Sequence, residues 1–118
     1  MKTHKDLEVW KSAILLAGDI YQHTEKYPKN EVFGITSQMR RAVVSIGANI
    51  AEGAARQTKK EFTYFLYIAL GSASELDTLI EICRKIKLPD DMNLDKLQEN
   101  LTIISKMLNR LIKSLNSN

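Results

Sequence analysis

The sequence predicts an all-α fold, a single antiparallel up-down-up-down four-helix bundle. Three observations predict it: four apolar patterns of helical period, short loops of turn-forming residues between them, and a leucine-rich heptad near the C-terminal end. The 118 residues fit one domain, spanning 1–118, and can bury a core of their own. A 44% hydrophobic content with only two prolines excludes a disordered chain. The expected helices cover about 6–24, 35–55, 59–86 and 94–115.

In the first, Leu7, Trp10, Ala13, Ile14, Ala17, Ile20 and Tyr21 recur at steps of three and four and share one face. The loop Lys26-Tyr27-Pro28-Lys29-Asn30 ends it, because proline disfavours helix at the residue before it. In the second, Ile35, Met39, Ala42, Val43, Ile46 and Ile50 form the core set. A neighbouring polar stripe carries Arg41, Ser45, Asn49 and Glu52, expected to be buried hydrogen-bonding links between helices. Val44, Ala48, Ala51 and Ala55 are small enough to admit another helix.

Thr58-Lys59-Lys60-Glu61 fits a capping box that opens the third helix. That helix carries a core set of Phe62, Phe65, Ala69, Ala73, Leu76, Ile80 and Cys83. Beside it runs a second apolar flank, with Tyr64, Ile68, Leu79, Ile82 and Ile86 as candidates for an interface between protomers. The combined arc is wider than a core-facing helix needs. Leaving several such side chains wet is unfavourable, so a homo-oligomer is expected. The alternative is that the first and fourth helices cover both flanks within one chain. Glu75 falls inside the flank and requires a cation, with Arg41 or Arg40 the nearest in an antiparallel hairpin. In the fourth helix Leu94, Leu97, Leu101, Ile104, Leu108, Leu111 and Leu115 make a strict heptad seam, the pattern of near-parallel bundle packing.

No grouping has the spacing of a catalytic or metal site, so neither an enzyme nor a cofactor nor a small-molecule substrate is expected. His4 and His23 lack ligand-type companions and are expected to be solvated. Cys83 falls on a core face as an apolar filler, and as the lone cysteine it can form no internal disulfide. No apolar run follows the charged start, and Tyr64 to Leu70 is far short of a membrane span. A cytoplasmic protein without a membrane partner is therefore expected.

The net charge is +3, and residues 1–59 hold all of the excess. Arg56, Lys59 and Lys60 cluster at the second turn, and Lys106, Arg110 and Lys113 share the outer face of the fourth helix. These six are the candidate nucleic-acid contacts. Three or four charges hold phosphates weakly, but symmetric assembly multiplies them. The competing reading of any one lysine is an ordinary solvated face.

The run Gly34-Ile35-Thr36-Ser37-Gln38-Met39-Arg40-Arg41-Ala42-Val43-Val44-Ser45-Ile46, then Ala48-Asn49-Ile50-Ala51-Glu52-Gly53, resembles the intervening-sequence proteins encoded within bacterial large-subunit ribosomal RNA genes. The likeness continues through Glu61-Phe62, Phe65-Leu66, Ile68-Ala69, Gly71-Ser72 and Glu75-Leu76, and back to Asp6-Leu7-Glu8-Val9-Trp10. Gly47 stands where many members have proline. The resemblance implies a bundle that assembles as a ring-like homopentamer. It also implies RNA or a reverse-transcriptase-like protein as partner, since the family includes the accessory variability proteins of diversity-generating retroelements. Residues and resemblance together lead to the expectation of a non-enzymatic oligomeric binding module for RNA or a nucleic-acid-handling protein. A purely structural or protein-protein scaffold is the alternative.

Overall fold

A computed structural model describes residues 2–31, 33–89 and 91–117, the side chain of residue 91 excepted. Four helices carry the fold: α1 (Glu8–Thr24), α2 (Ile35–Ala54), α3 (Lys59–Lys85) and α4 (Asp91–Asn116). Two short 3-10 turns, His4–Asp6 and Lys29–Glu31, precede α1 and α2. The first explains why α1 begins at Glu8 rather than Asp6. Thr3 and Asp6 cap that turn reciprocally, and Leu7 is extended between it and the helix. The fourth helix begins three residues before Leu94, because apolar period marks where a helix meets the core and not where its first turn forms.

Each helix touches its two neighbours in the order α1-α2-α3-α4-α1, and among the described residues the backbones of diagonal pairs do not approach one another. The pairings run antiparallel throughout. Met39 meets Cys83, Ser45 meets Ser72 and Gly53 meets Phe62, so residue numbers rise on α2 as they fall on α3. His23 with Asn93 sets the same sense for α1 and α4, and Arg84 with Asp95 sets it for α3 and α4. The molecule measures 47 × 21 × 19 Å, a long axis close to the ~40 Å that 27 helical residues span.

The heptad seam forms as its spacing predicts from Leu94 through Leu97, Leu101, Ile104 and Leu108, all buried. At the end Ile112 takes the buried place and Leu111 and Leu115 are half-buried. A straight helix of 3.6 residues per turn drifts off a seven-residue repeat, which moves the seam by one position. Gly47 is buried against α1, where an added Cβ would lie 3.4 Å from Ile14 Cδ1, and α2 runs unbroken across it.

Closest approach occurs between α2 and α3. At Gly53 an added Cβ would lie 2.8 Å from Phe65 Cβ and 3.1 Å from the Phe62 carbonyl oxygen. The turn that returns the chain there is fixed by Thr58, whose Oγ1 accepts from the Glu61 amide at 3.1 Å and donates to Glu61 Oε1 at 2.9 Å. The Glu61 carboxylate thus bonds the Thr58 hydroxyl, not the Thr58 amide that a full capping box would use. Replacing Thr58 with alanine is expected to destabilise the fold by about 1 kcal/mol, read as a lower urea midpoint with unchanged slope.

Candidate nucleic-acid interface

Arg56, Lys59 and Lys60 sit exposed at the α2–α3 turn, and Lys106, Arg110 and Lys113 are exposed on α4. More than forty residues separate the two groups in sequence. The antiparallel topology brings both to one end of the bundle, because the C-terminal half of α4 lies beside the start of α3. That end is built from residues 2–15, 45–72 and 104–117, which hold nine Lys/Arg against four Asp/Glu. The rest of the sequence holds eight against ten. A division of charge along the bundle axis is the relevant asymmetry, and it cannot be seen by comparing N- and C-terminal halves of the chain. Arg56 is partly engaged: Glu52 Oε2 lies 3.3 Å from its Nη2, and its guanidinium stands 4.8 Å from the Phe65 ring centre.

The second feature is the outward flank of α3. Tyr64 (62% exposed), Ile68 (36%), Ile82 (42%) and Ile86 (51%) remain uncovered by the protomer's own helices. Leu79 corrects the sequence expectation: at 5% exposure it belongs to the protomer's core and offers nothing to a partner. Val44, Ala48 and Ala55 of α2 are exposed as well. They do not receive α3, which approaches over Ser45 and Gly53 instead. Phe33, just before α2, is 95% exposed and was not singled out by periodicity, since it lies outside any helix.

The polar stripe also differs from expectation. Among the described residues, Ser45 Oγ and Ser72 Oγ, 2.8 Å apart, make the one hydrogen-bonded link between α2 and α3 in which a residue of that set takes part, and Asn49 donates back to Ser45 within α2. Arg41, Glu52 and Glu75 are exposed rather than buried. Arg40 turns toward α1, donating to Thr24 Oγ1 at 2.9 Å and to the Tyr21 carbonyl, with its guanidinium 4.5 Å from the Tyr21 ring centre. Arg41 and Glu75 face one groove of about 520 Å³ with Phe33, Ser37, Gln38 and Ser45.

His23 is the residue the sequence reading placed most wrongly. It is 1% exposed, with Nε2 2.8 Å from the Tyr27 hydroxyl and Nδ1 2.7 Å from the Asn93 side-chain nitrogen. Tyr27 donates on to Cys83 Sγ, and the Cys83 thiol donates to Met39 Sδ. The donors run in one direction, from α4 through α1 and α3 to α2, when the imidazole carries its proton on Nε2. Burial pushes the Cys83 thiol above its ordinary range, so it stays protonated and acts as packing. This network ties four helices together at the end opposite the basic one. Among the described residues no group of His, Cys, Asp and Glu could hold a metal ion, and no helix is long and apolar enough to cross a membrane.

No curated protein matches the chain significantly. Among solved structures, a protein of unknown function from the S23 ribosomal protein family of Bacteroides thetaiotaomicron is similar, with a TM-score of 0.83 and 26% identity. The alignment covers 89% of this chain and 95% of that one. A model of the 23S rRNA-intervening sequence proteins matches residues 5–110, nearly the whole bundle. The fold, the motif-bearing segments of α2 and α3, and this match agree: the chain belongs to the family of 23S rRNA-intervening sequence proteins.

Proposed function

We propose that this protein is a non-enzymatic binding module of the cytoplasm that assembles as a ring-like homo-oligomer and holds structured RNA against its pooled basic end. The observation that carries this reading is the convergence of two sequence-distant basic clusters on one end, with nine cations against four acids. Phosphate contacts scale with the number of cations presented, so assembly through the exposed α3 flank converts a weak patch into an avid surface. The family's name, referring to sequence within 23S rRNA, supports a setting beside structured RNA. The second reading is a protein-protein scaffold, favoured by Arg56, whose guanidinium is already engaged by Glu52 and Phe65.

Electrophoretic shift of a structured RNA at graded salt tests the proposal. Affinity is expected to fall steeply, by tenfold or more, between about 50 and 200 mM salt. Glutamine at Arg56, Lys59, Lys60, Lys106, Arg110 and Lys113 together is expected to abolish the shift. Absence of binding at low salt, or undiminished binding by the six-fold variant, contradicts it. A polypeptide that co-purifies after nuclease treatment supports the scaffold instead.

A further inference from the structure

We infer that Arg41 and Glu75 form an ion pair between two copies of this chain, Arg41 of one protomer against the partner's Glu75, in the middle of the exposed α2–α3 face. The inference rests on the assembly proposed above and names the contact that sets its register.

Glu75 lies on the α3 flank between Ile68 and Ile82, both exposed. Covering that flank with another protein removes water from the carboxylate as well as from its apolar neighbours. An uncompensated charge at such a place opposes association, so a cation must meet it. Among the described residues none does. Arg41 lines the same groove, yet among the described residues neither group takes part in an ion pair or a hydrogen bond.

Other arginines nearby are occupied. Arg40 is held by Thr24 and Tyr21 on α1, and Arg84 is held by Glu81, Asp95 and Gln98. Lys85 is ten residues further along α3, roughly 15 Å along the axis. Arg41 is thus the uncommitted cation at the level of Glu75.

Because α2 and α3 lie side by side, copies arranged around a ring axis parallel to the helices set α2 of one copy against α3 of the next. Arg41 then stands at the level of the partner's Glu75, once per contact. Apolar residues on either side of the pair exclude water, which strengthens it.

Charge reversal tests the pair in the full-length protein, by sedimentation velocity over a concentration series. R41E and E75R each confront like charges and are expected to weaken association about 100-fold or more. The R41E/E75R double variant is expected to return to within about tenfold of wild type. An equimolar mixture of the two single variants is also expected to regain assembled mass, because one carries only acidic and the other only basic groups at these positions. Rescue by mixing occurs only when the pair joins different chains. Both side chains are exposed, so folding is expected to survive, and far-UV circular dichroism checks it. Should a reversal fail to fold, E75Q gives the same answer, with weaker association that no longer loosens as salt rises.

Single reversals that assemble like an assembled wild type overturn the pair alone. A mixture that stays as dissociated as its components places the pair within one chain and overturns it too. A wild type that never assembles overturns both the pair and the assembly it rests on.

Discussion

Alanine at Gly53 is expected to destabilise the fold by about 2–3 kcal/mol and to lower the melting temperature by roughly 10 °C. Two effects oppose each other there. Alanine is the better helix former by about 1 kcal/mol, which alone would stabilise α2. Against this, the new Cβ would meet Phe65 Cβ at 2.8 Å, Phe62 Cδ1 at 3.0 Å and the Phe62 carbonyl at 3.1 Å. A Cβ and a backbone oxygen cannot swing aside, so α2 and α3 must separate where they pack most closely. The clash therefore outweighs the propensity gain. Gly18 is the control: nothing lies within 4 Å of an added Cβ, and alanine there is expected to stabilise by about 0.5–1 kcal/mol. Thermal denaturation of both variants checks the pair, and an unchanged melting temperature for Gly53→Ala contradicts the close approach.

Aspartate at Ile68 and Ile82 together is expected to leave a folded protomer of 13.4 kDa that no longer assembles. Both side chains are exposed within the protomer, so the substitutions cost the bundle itself little, about 0.5 kcal/mol each. Across an interface the balance differs. Each isoleucine removed forfeits about 1.5–3 kcal/mol of apolar burial, and each carboxylate added must be desolvated without a partner. The protomer is therefore preserved while the contact is lost. RNA affinity is expected to fall with it by tenfold or more, because each particle then presents a single set of cations. Light scattering and the electrophoretic shift read the two effects separately. Retained RNA affinity in a monomeric variant shows that pooling is unnecessary.

What was legible in the sequence was what depends on local pattern. The α4 seam from Leu94 to Leu108 and the Thr58 cap follow from residues three and four apart; the seam forms as read, and of the capping box the Thr58 half forms. Features that depend on how helices are set against one another were not legible. His23 sits near the polar edge of α1 by its own period, yet Tyr27 and Asn93, contributed by a loop and by α4, close over it. Leu79 lies on the flank by angle but is covered within the protomer, whereas Ile82, three residues on, is not. Ser72 has no structural role that its own segment could show, because that role exists only opposite Ser45. The demand for glycine at position 53 exists only with Phe62 and Phe65 of α3 beside it.

The candidate interface shows the same division. Each basic cluster could be found from its own segment, but their meeting at one end is a product of topology. Likewise Glu75 was recognisable as a carboxylate in apolar company. That Arg41 stands beside it without pairing, and that Arg40 is spent on Tyr21 and Thr24, required the three-dimensional arrangement.

The mass of the wild-type particle in solution, determined by light scattering across micromolar concentrations, bears most directly on whether these protomers gather at all. A mass several times 13.4 kDa, stable on dilution through that range, is the expected result. A single well-behaved 13.4 kDa species even at the highest concentration contradicts it, since Tyr64, Ile68, Ile82 and Ile86 would then be facing water with no partner to cover them.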